Sequence, residues 1–190
     1  MAHDDPHDPD HHHGKHDHHH PHPDVPGQHK ARAPAYARVY VITCSDTRTA
    51  VTDDGGRILK SRLADQGHAI AGSAIVPDDP ARIAQELQRA QEAKAQVVLI
   101  TGGTGITSRD STFEAVSAAI ARPLPGFGEL FRMLSFQEIG SAAMLSRALA
   151  GVTREGLIVF AMPGSPAAVR LACDRLILPE LGHLLEELGR

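Results

Sequence analysis

The chain has 190 residues, enough for one domain of ordinary size and cramped for two. Its formal charge of −4 sits wholly in residues 1–30, which hold six Asp against two Lys; the rest balances 17 acidic with 17 basic side chains. A balanced body excludes the clustered, uncompensated Lys and Arg of a general nucleic-acid binder, and no apolar run approaches the ~18 residues needed to span a bilayer.

Residues 1–30 carry 11 of the 13 histidines, mixed with Asp, Pro and Gly. A segment so poor in apolar residues cannot offset its conformational entropy, so a disordered tail is expected over residues 1–34, followed by one domain over 35–190. The tail has no apolar signal-peptide stretch. Cys44 and Cys173 fall in a predicted strand and helix rather than in a spaced framework, and read as reduced, buried thiols of a cytoplasmic protein.

From residue 39 the pattern alternates. Residues 39–44 (VYVITC) read as a buried strand, and 56–67 as an amphipathic helix with Ile58, Leu59 and Leu63 on one face. A second strand is expected over 68–76. Asp79-Pro80 then opens a helix with Ile83, Ala84, Leu87 and Ala90 aligned. Residues 96–101 (QVVLIT) are apolar without alternation, the mark of a central parallel strand covered on both faces. Ser111-Thr-Phe-Glu114 has the form of a capping box, which predicts a helix from residue 111 to about 121. Residues 122–150 read as loop and short helices, 156–162 as a strand, and 167–178 and 181–188 as closing helices. Together these elements predict a three-layer α/β sandwich with a mostly parallel central sheet, in which ligands gather at the carboxyl ends of the strands. Three loops qualify: residues 45–54, 101–110 and 162–166.

The second of these carries Thr101-Gly102-Gly103-Thr104-Gly105. Three glycines in five positions let the backbone approach a ligand closely, turning successive N–H groups toward anionic oxygen, and a helix N-terminus follows. A plain strand-to-helix turn, capped by Asp110 or Ser111, accounts for the same residues. The loop matches neither the dinucleotide fingerprint nor the Walker sequence. A carboxylate beside a phosphate site calls for an intervening cation; Mg²⁺ suits Asp110, with Asp53 or Asp54 as a second acid, and helix capping is the alternative for each. Arg132 is a candidate phosphate partner and Phe127 a candidate ring contact. His68 and His183 read as surface residues.

Taken in series, Ser45-Asp46, Asp53-Asp54-Gly-Gly56, Thr101-Gly-Gly-Thr-Gly105 with Arg109-Asp110, Pro125-Gly-Phe-Gly-Glu129, Ser146-Arg147 and Pro163-Gly-Ser-Pro166 resemble the molybdenum-cofactor biosynthesis family that includes MoaB, MogA and the gephyrin G domain. The likeness runs from about residue 38 to 185, and residues 126–140 and 160–165 look most like the MoaB branch. The resemblance implies adenylylation of molybdopterin by Mg-ATP. Asp110 with Asp53 or Asp54 would hold or orient Mg²⁺, and Asp110 and Asp53 are the candidate metal ligands. Thr101, Gly102, Gly103, Thr104, Gly105 and Arg109 would cradle phosphate, while Ser45, Glu129, Ser135, Ser146, Gly164 and Ser165 would complete the pterin and nucleotide pocket. It also implies a homotrimer or homohexamer. Two other readings stand beside it: a non-catalytic molybdopterin carrier using the same pocket, and a tail that binds Ni²⁺, Zn²⁺ or Cu²⁺ through its histidines.

Overall fold

The computed structural model describes Met1 and residues 36–189; the expected disorder of residues 1–34 lies almost wholly outside them. The elements run β1 (Arg38–Cys44), α1 (Asp54–Asp65), β2 (Ala69–Val76), α2 (Pro80–Glu92), β3 (Val97–Thr101), α3 (Thr112–Ala119), β4 (Ile120–Pro123) and α4 (Pro125–Ile139). A 3₁₀ stretch (Gly140–Leu145), β5 (Leu149–Thr153), β6 (Ile158–Met162), α5 (Pro166–Ala172) and α6 (Leu178–Glu187) follow, with a π-helical turn (Cys173–Ile177) between the last two helices.

One six-stranded sheet orders these as β2-β1-β3-β6-β5-β4. The pairs β2–β1, β1–β3 and β3–β6 are parallel, so the carboxyl ends of β1, β3 and β6 lie side by side. β5 runs antiparallel to β6, and β4 antiparallel to β5. Alternation along the central strands builds the two core layers. Val39, Val41, Leu99 and Phe160 face α1, α4, α5 and α6 through Leu59, Phe131, Val169 and Leu181. Ile42, Val98, Ile100 and Val159 face α2 and α3 through Ile83, Leu87 and Val116. β3 and β6 are buried along their whole length, as the unbroken apolar run at β3 requires.

Two local expectations are corrected. Residues 122–150 are not loop with short helices. Pro125 occupies the first turn of the 15-residue α4, where its missing N–H costs nothing, and Phe127 and Phe131 turn inward one helical turn apart. Short β4 and β5 flank it, and α3 ends at Ala119 to enter β4. The capping box is also absent: the Ser111 side chain caps nothing in α3 and instead donates to the Asp78 carboxylate at 2.9 Å.

Candidate active site

The loops after β1, β3 and β6 converge at one end of the sheet, and two glycines make the convergence tight. Gly102 has φ +95, and a Cβ there would run into the Cys44 carbonyl oxygen; its N–H donates to the Met162 carbonyl at 3.0 Å. Gly103 has φ +61, and a Cβ there would collide with the Asp78 carboxylate and the Thr112 hydroxyl. Both lie in the left-handed region that side chains disfavour. Gly164 closes on Gly102 from the β6 side, where an added Cβ would stand 3.2 Å from the Gly102 Cα.

Two adjoining cavities result. The first, about 450 Å³, is lined by Ser45, Arg48, Asp53, Gly102, Gly103 and Ser165, with Thr101 and Gly164 completing its floor. The second, about 230 Å³, is lined by Thr104, Gly105, Ser135, Ser146, Ser165 and Phe131. Ser165 stands on the boundary as the N-cap of α5, accepting from the Ala168 N–H at 3.3 Å. Seven residues from five separate segments, Ser45, Asp53, Gly103, Thr104, Ser135, Ser146 and Ser165, thus line two cavities that meet at Ser165. Glu129 is not among them. It lines a third cavity of about 570 Å³ between α3, α4 and β5, which meets the second at Ser146.

The acids divide by environment. Asp53 is buried: its carboxylate accepts from the Thr43 hydroxyl (2.9 Å) and the Gly56 N–H (2.9 Å), capping α1 at the edge of the first cavity. Asp54 turns aside into an ion pair with Arg57. Asp110 closes the Gly-rich loop, accepting from the Thr107 hydroxyl (2.6 Å) and N–H (2.9 Å). Chiefly the Thr107 hydroxyl bond, with further help from the Thr107 and Gly105 amides, holds its carboxyl below the usual carboxylate range. Arg109 pairs with Asp46, which lowers the Asp46 carboxyl and latches the loop after β1 to the Gly-rich loop.

Asp78, at the carboxyl end of β2, was missed by sequence reasoning. Its carboxylate accepts from the Ser111 N–H (3.0 Å), the Ser111 hydroxyl (2.9 Å) and the Thr112 hydroxyl (3.2 Å), beside Gly103. Asp79 alone suffices to cap α2, accepting from the Arg82 N–H at 2.9 Å, so a second acid before Pro80 was the available signal. Phe127 is corrected, and Arg132 lines the third cavity beside Glu129. Arg132 donates to the Ala148 carbonyl at 3.4 Å, and Phe127 is core, edge-on to Phe160 at 5.0 Å. The two body histidines do local work: His68 Nδ1 accepts from the Ala37 N–H at 3.2 Å, and His183 pairs with Glu180 and Glu187.

Mg²⁺ can be tested against these donors. Among the described residues no three His, Cys, Asp or Glu side chains converge on a point. An all-protein cage is therefore missing there, but Mg²⁺ ordinarily takes one or two carboxylates and completes its shell with phosphate oxygens and water. Asp110, its carboxyl held low beside the Gly-rich loop, meets the carboxylate part of that requirement.

The family model described as "Probable molybdopterin binding domain" matches residues 40–183. Among curated relatives, molybdenum cofactor biosynthesis protein B of Bacillus cereus is 51% identical over 165 residues, covering 86% of this chain and 97% of that one. The Halalkalibacterium halodurans protein of the same name is 48% identical over 163 residues, covering 85% and 95%. A crystal structure of molybdenum cofactor biosynthesis protein B superposes with TM-score 0.79 at 50% identity, covering 84% of this chain and 99% of that one. The tungsten cofactor synthesizing protein MoaB from Pyrococcus furiosus gives 0.76 at 35% identity, with 83% and 100% coverage. With the fold, the Gly-rich cradle and these matches in agreement, the chain belongs to the MoaB family of molybdenum cofactor biosynthesis proteins.

Proposed function

We propose that the chain binds molybdopterin and adenylylates it with Mg-ATP, giving adenylyl-molybdopterin and pyrophosphate. The observation that carries this reading is the recess itself: the glycine-rich loop lining the first cavity at Gly102 and Gly103 adjoins a hydroxyl-lined cavity at Ser165, so two substrates can meet end to end. The pterin's terminal phosphate oxygen attacks the α-phosphorus of ATP. A new O–P bond forms there, the bond to the β-phosphate oxygen breaks, and pyrophosphate leaves with that electron pair. The protein contributes positioning and charge neutralisation rather than a covalent intermediate. The backbone N–H groups of Gly103 and Thr104 bind phosphate, Thr104, Ser135, Ser146 and Ser165 orient the pterin phosphate, and Asp110 would hold Mg²⁺, which when bound would neutralise phosphate charge. Asp53, which lines the first cavity, is the second candidate acid, while Asp54 is engaged by Arg57.

Asp110→Ala is expected to abolish pyrophosphate release while leaving molybdopterin binding measurable by titration calorimetry. Full turnover by that variant would remove Asp110 from the mechanism. Binding by the wild-type chain without any turnover would favour the carrier reading instead.

The same proposal extends to assembly and to the tail. Leu130, Met133, Phe136 and Ile139 of α4, with Met144 and Leu145, leave an apolar surface exposed, which supports a homotrimer or homohexamer built on it. Two free, buried thiols accord with a reducing, cytoplasmic setting. The 11 histidines of residues 1–30 favour Ni²⁺, Zn²⁺ or Cu²⁺ binding by a separable segment. Deleting residues 1–34 should abolish Ni²⁺ uptake in equilibrium dialysis and leave turnover unchanged; retained uptake would refute the assignment.

A further inference from the structure

Arg147, between the 3₁₀ stretch and β5, spends its whole guanidinium on the Gly-rich loop and the helix behind it. Nε donates to the Thr104 carbonyl (3.4 Å) and Nη2 to the Asp110 carbonyl (3.1 Å), the two ends of one loop. Nη1 pairs with the Glu114 carboxylate of α3, and the guanidinium carbon lies 5.0 Å from the centre of the Phe113 ring. The side chain is only 25% exposed, so these contacts are partly shielded from water. Three acceptors and a ring face arranged around one planar cation is a task for Arg; the Lys ammonium, a compact point charge, cannot span them.

Between its two anchors the loop has little else. Ile106, Thr107, Ser108 and Arg109 are exposed, and the bonds from Thr107 to Asp110 are internal to the loop. Within residues 104–110, Arg147 and the surface Arg109–Asp46 pair tie the segment to the body, while its flanks are held by the Thr112 N–H on the Gly103 carbonyl (3.1 Å) and by Ser111 on Asp78. Phosphate binding by backbone N–H groups depends on holding their directions before the ligand arrives, because a loop ordered on binding subtracts that entropy from affinity.

We propose that Arg147 is a positioning residue which fastens both ends of the 104–110 loop to α3 and so fixes the shape of the phosphate cradle. The proposal rests on the reading of that loop as the phosphate site, but its physical core can be tested without nucleotide. In Arg147→Met, amide hydrogen exchange over residues 104–111 should rise about 10-fold or more while β3 keeps its protection. In pyrophosphate release the KM for Mg-ATP should rise about 10-fold, with kcat falling much less. Arg147→Lys should lie between Met and wild type in both readouts, and it supplies the comparison if the Met variant does not fold. Unchanged exchange over residues 104–111 in both variants would overturn the clamp whatever the activity. A fall in kcat at constant KM would overturn its role in shaping the cradle. Faster loop exchange with no Mg-ATP binding by the wild-type protein would uphold the clamp and refute the phosphate site.

Discussion

Replacing Gly102 by Ala separates two reasons for a glycine in the cradle, backbone conformation and close approach. Gly67 provides the comparison: its φ is +79, and nothing stands within 4 Å of an added Cβ. Gly67→Ala therefore meets conformational strain alone, about 1–2 kcal/mol, partly offset by a less flexible unfolded chain. At Gly102, φ is +95 and the added methyl also meets the carbonyl oxygen of Cys44, main chain of a buried strand that cannot swing aside. Overpacking of that kind adds about 1–3 kcal/mol, for a total near 2–5 kcal/mol. For a domain of this size each kcal/mol lowers Tm by roughly 2–4 °C, so Gly67→Ala should lose a few degrees and Gly102→Ala about 5–15 °C. Thermal unfolding followed by circular dichroism at equal protein concentration reads the difference. Equal losses in the two variants would refute the claim that β1 and the Gly-rich loop touch main chain to main chain.

The same geometry fixes the outcome of further perturbations. Asp78→Ala removes the acceptor of the Ser111 N–H and of two hydroxyls, and should cost about 1–3 kcal/mol in urea unfolding; a variant as stable as wild type would mean those bonds are exchanged for water without loss. Burial pushes the Cys44 and Cys173 thiols up to about 12, so neither should react with Ellman's reagent at pH 8 until the chain unfolds, and rapid native labelling of both would contradict their burial. Their raised values stabilise the fold fully below the ordinary thiol range, and that contribution should fade as pH climbs toward about 12. Asp110 carries the opposite sign. Its lowered carboxyl stabilises the native loop above the ordinary carboxylate range and loses that effect only as pH falls through the folded value, so an acid limb of activity near pH 5–6 would not be its titration.

Periodicity made most of the scaffold legible. The unbroken apolar run at β3 and the Asp79-Pro80 helix start are local signals, and the structure has both where the sequence puts them. The failures are equally physical. α4 begins Pro-Gly-Phe-Gly, a composition that reads as a turn, and its helical character comes from Phe127 and Phe131 packing on Phe160 and the core, which no local propensity reports. β4 and β5 pair through Ala-Gly and Arg-Pro stretches of weak strand preference, and pairing with each other and with β6 makes them strands. Ser111 looks like a cap from its neighbours alone, yet its partner is Asp78, 33 residues earlier. The site follows the same rule. Glycines and loop hydroxyls were visible as chemistry, whereas Asp78 and the clamp at Arg147 act through contacts between segments remote in sequence.

On the proposed function, the recess at the ends of β1, β3 and β6 joins AMP to molybdopterin. Incubating the purified full chain with molybdopterin, ATP and Mg²⁺, and following the products by mass spectrometry, tests it most directly. Adenylyl-molybdopterin and pyrophosphate should appear in equal amounts, and neither should form with Asp110→Ala or with the metal chelated. Molybdopterin bound by the wild-type chain but recovered unmodified, with ATP intact, would refute adenylyl transfer in this recess.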